Sequence, residues 1–181
     1  MNRFVIAEAS KCIGCRTCEI ACAMAHPVGK GADMLSPQNF SPRLTIVRAG
    51  TITTPILCRQ CDDAPCVRAC PSGAIIYGQD SVQVLQERCV GCKTCVVACP
   101  YGAMTVVSVP AAGQAGSMLV SQKMKSEAQK CDLCSDRAEG PACIPSCPTK
   151  ALHLVDKEAM AASLRKRQEQ AALNLATNLQ F

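Results

Sequence analysis

The 181-residue chain has no tryptophan, two tyrosines, three phenylalanines and two histidines. With aromatics at only 3%, an apolar core must be assembled from small aliphatic side chains, and a core that thin needs a second source of cohesion. No apolar run approaches the roughly 18 residues of a membrane span, so any membrane association is expected to run through a partner. The N-terminus, MNRFVIAEAS, lacks an apolar stretch of signal length, which argues against export, against a disulfide scaffold and for a cytoplasmic protein. Nucleotide and hydrolase signatures are missing too. There is no GxGxxG, GxxxxGK(S/T) or GxSxG pattern, and Gly29 with Gly31 makes only a lone GxG. His26, just beyond the first run, reads as a surface or core side chain in preference to one that tunes or ligates a cluster, and His153, between Leu152 and Leu154, as an exposed or edge one. Substrate chemistry is therefore expected elsewhere, and no catalytic residue is assigned.

What the chain has instead is sixteen cysteines. In CVGCKTCVVACP, residues 89–100, four of them stand at spacings of two, two and three residues and are followed by proline. This is the bacterial run for a 4Fe–4S cubane, in which three cysteines hold one cube and the fourth ligates another. Cys12, Cys15, Cys18 and Cys22 repeat the spacing, with Ala23 where the proline would stand. Cys58, Cys61, Cys66 and Cys70 widen the middle gap, and Cys131, Cys134, Cys143 and Cys147 widen it further; both end in proline. Zinc sites more often come from separated CxxC pairs. The formal charge of +5 counts cysteines as neutral; four thiolate-held cubanes at about −2 each would bring the chain to about −3, so its basicity is no argument for nucleic acid.

Between the runs, Arg3 to Ala7, Leu44 to Val47, Ala103 to Val107 and Ala151 to Val155 read as strands. Ala74 to Tyr77 and Val82 to Leu85 read as a hairpin around Gly78, Gln79 and Asp80. Met24 to Pro42 and Pro110 to Gln129 read as insertions, with Lys123, Lys125 and Lys130 facing a partner or, as the plainer reading, on a solvated loop. Arg16, Arg59, Lys93 and Lys130 are near-ligand charges that could tune a cluster. Asp156 reads as the N-cap of a helix from Lys157 to Leu179, either lying over the cluster region or projecting as a docking or oligomerisation arm.

The second and third runs are separated by a hairpin alone, so they are expected to pair locally while the first and fourth close around them. The expected fold is α+β: tandem, interleaved bacterial 2(4Fe–4S) ferredoxin-like modules with short antiparallel hairpins, insertions and a C-terminal helix. Residues 1–49 with 130–156 form an outer module and residues 50–110 an inner one, followed by an inserted loop at 111–129 and the helix at 157–181. Four ligand sets follow: Cys12, Cys15, Cys18 and Cys147; Cys58, Cys61, Cys66 and Cys99; Cys89, Cys92, Cys95 and Cys70; and Cys131, Cys134, Cys143 and Cys22. No thiol is left over for nucleophilic catalysis.

With MNRFVIAEASKCIGCRTCEIAC, CRQCDDAPCVRACPSGAI, ERCVGCKTCVVACPYGAM and KCDLCSDRAEGPACIPSCPTKALHLVD, the chain resembles the small four-cluster electron-transfer subunits of cytosolic formate dehydrogenase and formate hydrogenlyase systems. It is more distantly similar to the iron–sulfur subunits of dimethyl sulfoxide reductase and membrane-bound formate dehydrogenases. The resemblance covers about residues 1 to 156 and implies four 4Fe–4S clusters with the pairing above. It also implies a non-catalytic relay between a molybdenum or tungsten formate dehydrogenase subunit and a hydrogenase or related iron–sulfur subunit, within a hetero-oligomer. An adaptor role, with the C-terminal helix building an assembly like a hydrogen-dependent carbon dioxide reductase, is the alternative.

Overall fold

The computed structural model of the chain describes residues 1–28, 35–37, 39–110 and 124–178. Short elements are strung between the cysteines. In chain order they are β1 (Phe4–Ala7), α1 (Thr17–Ala25), β2 (Thr45–Ala49), β3 (Ile52–Ile56), α2 (Pro65–Arg68), β4 (Ile75–Tyr77), β5 (Val82–Val84), α3 (Thr94–Ala98), β6 (Thr105–Pro110), β7 (Met124–Gln129), β8 (Leu152–Val155) and α4 (Lys157–Asn178). The strands pair antiparallel as β1–β8, β2–β3, β4–β5 and β6–β7. The β1–β8 pair, with Phe4 opposite Val155 and Ala7 opposite Leu152, ties the start of the chain to the end of its last cysteine run. The β4–β5 pair turns where Gly78 N–H donates to Ser81 O at 2.7 Å, and Tyr77 Oη accepts from Ala64 N–H at 2.8 Å, fixing the start of α2.

Two separate cores form, and cysteine is part of both. One gathers Val5, Leu44, Leu57, Leu133 and Leu152 with Cys18, Cys22 and Cys143. The other gathers Ala64, Ile75, Val82, Met104 and Ala128 with Cys66 and Cys95. No aromatic side chain is among the buried described residues, so ligand bonds at the cysteines must supply what packing lacks.

Three expectations need correction. The segment at 111–129 is not loop throughout, because Met124 to Gln129 forms β7 and pairs along the full length of β6; its Lys, Glu and Gln residues are poor strand formers, and cross-strand pairing overrides that preference. The closing strand starts at Thr105 rather than Ala103 and takes its partner from the insertion. A boundary between residues 49 and 50 would cut the β2–β3 turn, although Leu44 and Leu57 on either side of that hairpin share the first core. Among the charged residues read as solvated, Lys130 is 3% exposed, Lys125 pairs with Glu127 at 3.3 Å, and Lys123 lies outside the described residues. Asp156 caps α4, its Oδ1 accepting from Ala159 N–H at 2.8 Å. That helix is exposed from Lys157 to Ala176 apart from half-buried Met160, so it does not lie over the cysteine-rich body; Leu179 is beyond the described residues.

Candidate metal centres

The four cysteine runs share one backbone design. The residue before each second cysteine is left-handed, at φ 70° for Gly14, 50° for Gln60, 68° for Gly91 and 62° for Leu133. This turns successive cysteines toward one point. Glycine occupies the two positions that a hairpin covers closely: a Cβ on Gly14 would stand 2.8 Å from Thr53 Cγ2 on β3, and one on Gly91 would collide with Ser126 Cβ on β7. A second left-handed residue lies three places after each fourth cysteine that precedes proline, at Gly73, Gly102 and Lys150. The proline that follows each of these cysteines keeps a helix from running on. The chain then doubles back, so the next N–H donates to the sulfur it has just passed: Ala74 to Cys70 at 3.3 Å, Ala103 to Cys99 at 3.4 Å and Ala151 to Cys147 at 3.2 Å. After Cys22 there is no proline, and α1 continues to Ala25. Here Arg43 N–H, arriving from the insertion, reaches Cys22 Sγ at 3.3 Å.

The cysteines meet around four small apolar cavities. Cys12, Cys15, Cys18 and Cys147 line one; Cys22, Cys131, Cys134 and Cys143 a second; Cys58, Cys61, Cys66 and Cys99 a third; Cys70, Cys89, Cys92 and Cys95 a fourth. Each takes three cysteines from one run and one from another. None of the sixteen is in a disulfide. Short helices carry ligands between neighbours, since α1 delivers Cys18 to the first cavity and Cys22 to the second, and α2 joins the third to the fourth through Cys66 and Cys70.

Burial pushes the Cys18 and Cys66 thiols up to about 11 and Cys131 up to about 12, with Cys143 higher still. Such sulfurs ionise only against a cation, and metal loading must release their protons. Elsewhere hydrogen bonds prevail over burial and pull Cys70 and Cys147 down, with Ser72 and Thr149 as the leading donors. Exposed Cys92 is lowered by Thr94.

The second cavity has a polar wall, of which the sequence pointed only to His26. His26 has 8% side-chain exposure. Its Nδ1 lies 2.9 Å from Cys22 O and 3.8 Å from Cys22 Sγ. Asp132 forms an ion pair with Arg43 Nη1 and stands 3.1 Å from His26 Nε2. The contact is an ion pair when the ring is protonated, and Arg43 Nε is buried without a hydrogen-bond partner. Both residues line the cavity. Burial depresses His26, but the acceptors around it, Asp132, Cys134 and Cys22, outweigh that and carry the ring up to about 12; Asp132 is correspondingly held well below the usual carboxylate range, against the opposing effect of its own burial. The spacing Cys22 to His26, one helical turn, was the available sequence signal. Asp132 and Arg43 left none.

These features fit a 4Fe–4S cubane. Four thiols converge, the walls are apolar, and backbone N–H groups donate to sulfur. When bound, such a group takes up and gives back one electron. By contrast, His153 stands on the exposed side of β8, 3.8 Å from Glu8.

Two segments match the model of a 4Fe-4S binding domain, residues 9–25 and 82–105, which hold the first and third cysteine runs. The chain is 52% identical to "Electron transport protein HydN" of Escherichia coli (strain K12), covering 92% of this chain and 97% of that one. It is 39% identical to "Iron-sulfur protein" of Rhodospirillum rubrum over 91% of this chain and 88% of the relative. A "Frd operon probable iron-sulfur subunit" of Proteus vulgaris is 47% identical over 82% and 95%. Near-complete alignment at this identity, on a chain whose cysteines converge in this way, shows that it belongs to the family of 4Fe–4S electron-transport proteins that includes HydN.

Proposed function

We propose that the chain is a non-catalytic wire passing single electrons through four 4Fe–4S clusters, held by Cys12, Cys15, Cys18 and Cys147; Cys131, Cys134, Cys143 and Cys22; Cys58, Cys61, Cys66 and Cys99; and Cys89, Cys92, Cys95 and Cys70. The observation that carries this reading is the four cysteine-lined cavities in a row. The first two are bridged by α1, the last two by α2 and α3, and the middle pair by Gln60, whose Nε2 donates to Cys131 O at 2.6 Å. The row divides into an outer and an inner module, in keeping with the two cores. At its ends Cys15 and Cys92 are exposed, beside Ile13 and Val90, each 68% exposed. Electrons thus have a surface at which to arrive and another from which to leave.

The partners at those ends are a molybdenum or tungsten formate dehydrogenase subunit and a hydrogenase or related iron–sulfur subunit, in the cytoplasm. This rests on the resemblance in the cysteine runs. No helix among the described residues is long and apolar enough to cross a membrane, which is consistent with that placement. Anaerobic pull-down of the native protein, with mass spectrometry and iron quantitation on one sample, tests it. A formate dehydrogenase and a hydrogenase with about sixteen irons per chain is the expected result. The same iron with another molybdopterin oxidoreductase would keep the wire and replace its partners. A second reading, an adaptor that assembles the complex through α4, is favoured by the exposure of that helix; it fails if deleting residues 157–181 leaves assembly size unchanged.

A further inference from the structure

Lys130 is an ammonium group in an unusual place. It is 3% exposed. Its Nζ donates to Gln60 Oε1 at 3.1 Å, to Cys131 O at 3.0 Å and to Val82 O. All three acceptors are uncharged, and among the described residues no carboxylate forms an ion pair with it. Asp132, two residues on, is committed to His26 and Arg43. A buried cation with only neutral partners costs several kcal/mol, and such a charge persists where something anionic stands close by. The surroundings name that something. Gln60, 1% exposed, lies between Cys58 and Cys61 of the third cavity and bonds to Cys131 of the second. Burial is what pushes Cys66 up to about 11 and Cys131 up to about 12, yet in both the Lys130 charge pulls the other way. One ammonium therefore acts on sulfurs of two cavities that belong to different cores.

We propose that Lys130 is a positioning residue for electron transfer, a fixed cation between the two middle clusters that raises both their reduction potentials and so lets both be reduced side by side at the module boundary. The inference rests on the four-cluster reading above. In the step concerned, one electron leaves the reduced cluster of one module and enters the oxidised cluster of the other, with no bond or proton changing place. Reduction adds one negative charge to a cluster already near −2, and a buried cation stabilises the reduced form by Coulomb attraction in a poorly screening medium. Two facing anionic clusters would otherwise oppose each other's reduction. The same ammonium, by tying Cys131 O to Val82 O and Gln60 Oε1, also fixes the distance between modules.

The test is an anaerobic redox titration of the full chain followed by low-temperature electron paramagnetic resonance, with iron measured on each sample. Lys130→Gln keeps N–H donors and removes the charge; Lys130→Met removes both; Lys130→Arg keeps the charge. With about sixteen irons retained, the neutral variants are expected to lower two of the four midpoint potentials by a factor of ten or more in the reduction equilibrium, about 59 mV for one electron, leaving the other two in place. Lys130→Arg should stay close to the parent. Four unmoved potentials in an iron-replete Lys130→Gln protein would overturn the proposal while the cluster reading stands, as would an equal fall in all four. If both neutral variants lose iron and Lys130→Arg keeps it, the cation is required for the middle clusters to coexist, which supports the proposal; loss in all three makes the role one of shape and overturns it. A parent protein with fewer than four clusters would remove the premise and the proposal together.

Discussion

At the scale of single residues, the cluster sites are set by backbone conformations that few side chains allow. Gly91 has φ 68°, and its Cα faces Ser126 on β7 so closely that a Cβ has no room. Gly91→Ala is expected to destabilise the protein by about 2–4 kcal/mol, combining left-handed strain with overpacking. Ser126→Gly in the same chain should recover the overpacking part alone, as chemical denaturation under anaerobic conditions would show. His26 is the other sensitive position. With Nδ1 2.9 Å from Cys22 O and 3.8 Å from Cys22 Sγ, its ring N–H is within reach of sulfur, and such a bond raises a cluster's potential. His26→Leu is expected to lower one of the four potentials and leave three unchanged. A redox titration in which none moves would show that the ring only fills space.

Among the elements, α1 and α4 differ from what a regular repeat would give, and for separate reasons. α1 runs past Cys22 because Ala23, 1% exposed, replaces the proline that ends the other runs. Only a helix that continues can place His26 one turn beyond Cys22. Restoring the regular residue with Ala23→Pro should therefore harm the protein by about 3 kcal/mol and displace His26, read as lost iron and a lowered melting temperature. α4 makes no comparable contribution to the body. Deleting residues 157–181 is expected to leave iron content and the four potentials as they were, and a loss of iron would show that the helix supports the clusters. These elements also mark how far the sequence could be read. Cysteine spacing and the CP pairs exposed the runs, a hairpin signal around Gly78 exposed β4 and β5, and short apolar stretches exposed β1 and, after the last CP pair, β8. β7 was hidden because Met124 to Gln129 has no strand former, and its conformation comes from β6 across the hairpin. The allegiance of β2–β3 was hidden because Leu44 and Leu57 are ordinary leucines until the fold brings them to Val5 and Leu152.

For the molecule as a whole, the cavities are linked in a row by α1, Gln60, α2 and α3, and its first and last members each hold an exposed cysteine, Cys15 and Cys92. Chain order and hairpin length made the sharing of cysteines between runs legible; the junction was not. Lys130 reads as a near-ligand charge beside Cys131 and as part of a solvated loop, and nothing local reveals that it is buried or that Gln60, seventy positions earlier, accepts a hydrogen bond from it. The exposed ends make a prediction at this scale. Ile13→Glu and Val90→Glu replace side chains that are 68% exposed, so neither should alter folding or iron content. Each should slow electron exchange with one partner and spare the other, measurable by stopped-flow with each partner in turn. The central claim is the presence of four cubanes on sixteen cysteines, and iron quantitation with Mössbauer spectroscopy on anaerobically purified protein tests it most directly. About sixteen irons per chain, all in 4Fe–4S form, is the predicted result; about eight irons, or zinc in their place, would contradict it.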